Sequence, residues 1–205
     1  MKYDFVFMVF DIETTGLSAE KNSVVEIACC PFDMKLNDLP EYYSGVIRPI
    51  EGREIQQQAL DVTGITRQQL DSGNDGKVIV NDITKYLKSL GKQSNIILVG
   101  HNINHFDIPF VVNLFEYHDK DFGKLVNLKF TIDTMHWSRI KNLEQSDYKL
   151  GTCCSTENIT LTDGHRSLSD TRANKELAKI YLRNLRGEET TATKKTIRPR
   201  VKFQF

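Results

Sequence analysis

Apolar residues fall into two patterns along this chain. Short dense runs dominate its beginning, and runs at helical spacing alternate with dense ones further on. Residues 5–10 read Phe-Val-Phe-Met-Val-Phe, and this β-branched and aromatic run predicts a strand inside a sheet over about residues 4–11. A second strand is predicted over residues 23–30 and a third over residues 43–48, with connections short enough for an antiparallel meander. Residues 49–77 read as irregular, punctuated by Pro49, Gly52, Gly64, Gly73 and Gly76. One short helix is expected after Thr66, which can N-cap it.

Helical spacing then takes over. Val78, Val80, Ile83, Tyr86, Leu87 and Leu90 form an apolar stripe over residues 78–90, and Gly91 supplies the stop. Residues 95–100 are a buried strand, followed by a helix over about residues 106–117. A last strand is expected over residues 128–133, a short helix over 134–141 and a long one over 168–185, with Leu168, Ala173, Leu177, Ile180, Tyr181 and Leu185 on one stripe. Strands first, then strands alternating with helices, predict an α/β fold. Its mixed sheet has an antiparallel portion and helices on its faces.

Composition adds bounds. A chain of 205 residues suits one well-packed domain. Net charge is zero, which neither advertises nor excludes nucleic acid, since an acidic pocket subtracts from a basic rim. No apolar stretch approaches a membrane span, and residues 1–4 lead into a strand without a signal-peptide pattern, so an intracellular protein and no membrane partner are expected. The four cysteines form adjacent pairs, Cys29-Cys30 and Cys153-Cys154, without zinc spacing. Read as strand residues, at most one of each pair faces the core. From Gly187 the composition turns linker-like and then basic with aromatic ends. Residues 1–186 are therefore read as the domain and 187–205 as a flexible or docking tail.

Three segments carry candidate chemistry. Asp11 and Glu13 lie two apart at the end of the first strand, so alternation points both to one side. Such a pair is either solvated or neutralised by a shared proton or a cation, of which a divalent metal is the simplest resolution. Thr14, Thr15, Gly16 and Leu17 follow, a turn whose glycine allows close approach or positive φ and whose hydroxyls and amides can bond a sugar or phosphate. The second segment is Gly100-His101-Asn102-Ile103-Asn104-His105-Phe106-Asp107-Ile108-Pro109. Asp107 falls where a helix begins, as a favourable charge at the dipole's positive end or as a functional acid. The third contains His165 just before the last helix and Asp170 in its first turns. Here Ser167 as N-cap with Asp170 completing a capping box competes with a catalytic reading. That reading needs His165 mobile and partly exposed.

Four carboxylates and one imidazole from three segments resemble the DEDDh group of 3′→5′ exonucleases, the DnaQ-like family with a ribonuclease H-like fold. Asp11 and Glu13 match its first motif, Asp107 the second, and His165 with Asp170, at H-x-x-x-x-D spacing, the third. The resemblance covers about residues 4–185 and implies a five-stranded mixed sheet. Within the group the chain looks like the three-prime repair (TREX-like) exonucleases. It has three residues between His101-Asn102 and Phe106-Asp107, an apolar residue and Pro109 after them, and Tyr148-Lys149-Leu150-Gly151 further on. The bacterial proofreading subunit usually has two residues at that spacing. Ser167 departs from the usual Ala, and neither a proline-rich insertion nor a long C-terminal extension is found.

The resemblance implies a metal-dependent enzyme hydrolysing DNA from the 3′ end, preferring single-stranded or frayed ends and releasing nucleoside 5′-monophosphates. Two Mg²⁺ ions about 3.5–4 Å apart, with Mn²⁺ as substitute, are the implied cofactors. Asp11 would bridge them, Glu13 and Asp170 would hold the ion next to the nucleophilic water, and Asp107 would reach the other. His165 would be the general base. The backbone around Thr14 and Thr15 would hold the 3′-hydroxyl, and Leu17 would wedge against the last base. His101 and Asn102 either order the loop holding Asp107, the favoured role, or touch substrate. His105 is a backbone contact or simply exposed, and His118 and His136 are ordinary. Alternatives are an RNA 3′-end trimming enzyme of the same group and a catalytically silent nucleic-acid-binding scaffold. The TREX-like resemblance also brings a homodimer as an expected assembly.

Overall fold

The first strand organises everything else. The structure, a computed structural model, describes residues 3–162 and 164–188. Strand β1 is Val6–Thr14, β2 Val24–Asp33, β3 Tyr42–Val46, β4 Ile96–Gly100 and β5 Thr131–Asp133. They form one five-stranded sheet in the order β3-β2-β1-β4-β5. β2 pairs antiparallel with both β1 and β3, whereas β4 runs parallel to both β1 and β5. This is the expected mixed sheet flanked by helices, the ribonuclease H-like architecture. Pro31, which has no N–H to give, pairs with Met8 of β1 at a point where β3 has already ended at Tyr42↔Cys29.

Both faces of the sheet are covered. Helix α1 is Gln57–Thr63, α2 Arg67–Asp71, α3 Gly76–Leu90, α4 Asp107–Tyr117, α5 Thr134–Lys141, α6 Leu150–Thr156 and α7 Ser167–Arg186. Val6, Met8, Phe10 and Ile12 of β1 pack toward Ile83 and Leu87 of α3 and Val111 and Phe115 of α4. The alternate residues Phe7 and Val9 pack with Phe32, Ile97 and Val99 against Ala178 and Leu182 of α7. Strand alternation therefore carries the row Phe7, Val9, Asp11, Glu13 along the α7 side, apolar first and acidic at its end.

Two-sided coverage corrects the cysteine reading. Cys29 and Cys30 are both buried, one on each face of β2. Burial pushes the Cys30 thiol up to about 12 and Cys29 higher still. Cys153 and Cys154 lie on α6 rather than on a strand, and both are buried against α7 beside Leu177 and Tyr181. All four are free thiols.

Several boundaries differ from expectation. β1 extends to Thr14, so Asp11 and Glu13 sit within the strand. α3 begins two residues early because Asp75 caps it, its side chain accepting the Lys77 N–H. Gly91 ends that helix in an extended conformation rather than a left-handed one (φ 173). Thr66 caps α2 with a full capping box, as its sequence predicts. Ser167 does not cap α7: the N-cap is Arg166, without a side-chain bond. α1 and α6, seven residues each, were too short to show a helical stripe. Among the described residues no helix is long and apolar enough to cross a membrane. The tail reading from 187 falls largely on residues 189–205, outside the described residues.

Candidate active site

β1 outruns its parallel neighbour. β4 pairs with Val6–Val9 only, so the edge of β1 from Phe10 onward on that side has no strand beside it. The chain leaves β4 at Gly100, turns through Asn102 (φ 64) and enters α4 at Asp107. This puts the buried Asp107 next to the acidic end of β1. α7 begins on the face to which Asp11 and Glu13 point, and Asp170 lies in its first turn. Ligand oxygens of Asp11, Glu13 and Asp170 lie within 4.8 Å of one another. Three distant segments thus meet at one point.

The electrostatics are those of a buried acid cluster. Burial, then the charges of Asp107, Glu13, Asp170 and Glu26, hold the Asp11 carboxyl well above the usual range. Burial with Asp170, Glu26 and Asp107 pushes Glu13 up to about 8, and Arg166 opposes. Asp107 is pushed to about 8 by burial, against its own backbone N–H and that of Ile12, with Asp133 adding repulsion. Burial raises Asp170 too, and the His165 N–H opposes. Each group would be neutralised either by a proton or by a cation.

The donor set fits a hard divalent cation. All donors are carboxylate oxygens, the set that suits Mg²⁺ and Mn²⁺. The decisive detail is Asp170: Oδ2 accepts the His165 N–H at 3.0 Å, while Oδ1 is buried without a hydrogen-bond partner. Such an oxygen is costly unless a cation takes it. His165 itself is exposed, in a left-handed conformation (φ 68) immediately before α7.

The glycine turn after β1 is built differently from its sequence reading. Thr15 is fully used within the protein: its N–H bonds Ser23 O, its hydroxyl donates to Glu54 O and accepts the Ser23 N–H. Thr14 donates its hydroxyl to Gly16 O at 2.7 Å and stays beside Glu13. Gly16 has no positive φ. A Cβ there would meet the Asn22 side chain at 2.5 Å, so the close approach it allows is that of Asn22. Leu17 projects into solvent, 82% exposed. With Ala59, Val62 and Phe106 it lines a groove of about 210 Å³ that opens beside Glu13 and Thr14.

His101 has the structural role. Its Nε2 faces Tyr148 O at 2.7 Å and its Nδ1 the Thr134 hydroxyl at 3.0 Å, and burial lowers its pKa. The backbone N–H of Asn102 donates to Asp133 Oδ1. Both residues therefore brace the turn that delivers Asp107, and the Tyr148-Lys149-Leu150-Gly151 segment takes part through its first carbonyl. His105 and His136 are exposed, and His118 packs against Gly76.

Three features escaped the sequence. Glu26, fully buried on β2, stands opposite Glu13 in the β1–β2 ladder. Asp133 at the end of β5 is buried with Oδ2 unpartnered. α1 supplies Ala59 and Val62 to the groove. A charged residue inside the apolar run Val24-Val25-Glu26-Ile27 was the available signal for the first. The other two needed the tertiary structure.

Comparison with known proteins agrees with this architecture. Residues 8–178 match the family RNase_T, described as an exonuclease. DNA polymerase III of the PolC type from Oceanobacillus iheyensis is 29% identical over 171 residues, covering 83% of this chain and 11% of the polymerase. The PolC-type polymerase of Lacticaseibacillus paracasei is 31% identical over 184 residues, 85% of this chain and 12% of that protein. The chain thus spans about one-ninth of these relatives. Among solved structures, E. coli Exonuclease I bound to a dT13 oligonucleotide superposes with a TM-score of 0.73 at 17% identity, covering 86% of this chain and 40% of that one. Its zinc-bound complex with single-stranded DNA gives a TM-score of 0.73 at 17% identity over 89% and 41%. The structural likeness shows the shared fold, and the sequence match over most of the length shows the lineage: the chain belongs to the RNase_T exonuclease family.

Proposed function

We propose that this protein is a metal-dependent 3′→5′ exonuclease of the DEDDh type. It acts on DNA, prefers single-stranded or frayed 3′ ends, and releases nucleoside 5′-monophosphates. The observation that carries this reading is the carboxylate cluster of Asp11, Glu13 and Asp170, in which Asp170 keeps a buried, unpartnered oxygen, in a chain of the exonuclease family. DNA as substrate is supported by the PolC-type polymerases among its relatives and by the dT13 and dA16 oligonucleotides bound to Exonuclease I. The TREX-like refinement and the homodimer rest on the resemblance of the His101–Pro109 and Tyr148–Gly151 motifs alone. Residues 1–186 are read as the catalytic domain, and the sequence of 187–205 as basic.

Asp11, Glu13, Asp170 and Asp107 would hold two Mg²⁺ ions, with Mn²⁺ able to substitute. Bound there, such ions would supply charge neutralisation at the phosphodiester, activation of a water and help for the leaving 3′-oxygen. His165 accepts the proton of the attacking water, which its exposure allows. Backbone around Thr14 orients the 3′-hydroxyl. Leu17 sits against the terminal base in the groove with Phe106.

A time course on matched DNA and RNA oligonucleotides, labelled at either end, with and without EDTA, tests the proposal. Mononucleotides released from the 3′ end of DNA only in the absence of EDTA are expected. A faster reaction on RNA would favour the 3′-end trimming alternative, and EDTA-resistant cleavage would refute the cation chemistry. Truncation after Arg186, with a salt titration of DNA affinity, reports whether the tail grips phosphate.

A further inference from the structure

We infer that Glu26 is a positioning residue for this centre: a buried acid on β2 that holds the entry to α7, and so sets Asp170 and His165 against β1. The inference rests on the proposed exonuclease reading and goes beyond it, because Glu26 belongs to none of the matched motifs.

Glu26 is 0% exposed and directly opposite Glu13 across the β1–β2 ladder. Two acids directly opposite on a sheet repel, and a buried carboxylate is costly unless paired. Here the start of α7 supplies pairing. Arg166 Nη2 reaches Glu26 Oε1 at 2.7 Å and its Nε reaches Oε2 at 3.3 Å. The backbone N–H of Ser167 donates to Oε2 at 2.9 Å. A helix leaves its first N–H groups without internal partners. α7 has no side-chain cap of its own, so an acid from the neighbouring strand takes that place.

The consequence is geometric. His165 precedes Arg166, and its N–H is bonded to Asp170 Oδ2. Three consecutive residues, 165 to 167, are thereby tied to two acids. Glu26 anchors the turn to the sheet, and Asp170 anchors it to the helix. With the turn so fixed, the Asp170 carboxylate stays within reach of Asp11 and Glu13.

The test compares Glu26→Gln, Arg166→Gln and the double variant with the parent protein. It measures single-stranded DNA hydrolysis in Mg²⁺, melting temperature, and Mn²⁺ binding by calorimetry per folded molecule. Supports behind metal ligands are typically worth about 10–100-fold in affinity or activity. Each single variant is expected to lose turnover and Mn²⁺ affinity by about that factor, with KM for DNA changed by less than about threefold. The double variant is expected to lose no more than the worse single one, because the two residues act as a unit. Unchanged turnover and Mn²⁺ affinity in Glu26→Gln would overturn the inference. So would a loss of turnover that merely follows the fraction unfolded, with normal Mn²⁺ affinity in the folded remainder. A parent protein that cleaves no DNA would instead strike the exonuclease reading.

Discussion

The backbone N–H of His165 donates to Asp170 Oδ2 at 3.0 Å, joining the candidate proton acceptor to a candidate cation ligand. The bond uses only the backbone of His165, so its imidazole stays at the surface. Removing the ring should therefore leave the acid cluster in place. His165→Ala is expected to lower turnover by about 10²–10⁴-fold while DNA affinity and melting temperature stay close to the parent's. Single-turnover kinetics with a parallel binding isotherm check this, and an unchanged rate would end its role as base.

The raised carboxylates make stability depend on pH in a definite direction. Glu13 and Asp107 are held near 8 in the folded chain, while in the unfolded chain they return to the ordinary range near 4. Between those values the folded state holds protons that the unfolded state has released. Stability conferred by these groups is present below about pH 4, falls as pH rises, and is gone above about pH 8. Metal-free protein should melt at progressively lower temperature across this window. Mn²⁺ should replace the protons and raise the melting temperature most at the alkaline end. Calorimetry at pH 5 and 8 with and without Mn²⁺ reads the effect.

Asp11→Asn should separate function from folding. It removes a charge that burial and four neighbouring acids disfavour. The metal-free variant is expected to be more stable than the parent at pH 8, at about 2–4 °C per kcal/mol regained. Hydrolysis should be lost and Mn²⁺ binding severely weakened. A variant that melts earlier and still cleaves DNA would remove Asp11 from the site.

Two small residues near the site should respond in opposite senses. Gly16→Ala drives a Cβ to within 2.5 Å of Asn22, whose side chain holds Ser18 N and Glu54 O. A loss of about 1–3 kcal/mol is expected. Ser167→Ala removes a hydroxyl that is buried without a partner, and a gain of about 1 kcal/mol is expected. Urea titration measures both.

The groove between Leu17, Ala59, Val62 and Phe106 offers apolar surface beside the acids. Leu17→Ser and Phe106→Ala are each expected to weaken binding of a single-stranded 3′ end by about 1–3 kcal/mol, a typical value for base stacking. Mn²⁺ binding should be unaffected in Leu17→Ser. Fluorescence anisotropy in Ca²⁺ would report the affinity, and equal affinity for all three proteins would remove the groove from the substrate path.

The linear order of residues already carried the strands, most helices and the meeting of Asp11, Glu13, Asp107, His165 and Asp170. Those features follow from local periodicity and from a motif spacing that resembles one family. Short helices such as α1 and α6 were invisible because seven residues show too little of a 3.6-residue period. Glu26 was hidden for another reason: an acid in a strand has no visible purpose until the partner 140 positions away is known to lie against it. The same holds for Thr15 and His101, whose bonds run to Glu54 and Tyr148, and for Gly16, which makes room for the Asn22 side chain. Local pattern reports on neighbours along the backbone. Which oxygen is left without a partner, and which glycine makes room for which side chain, depends on contacts between distant segments, and only folding chooses those.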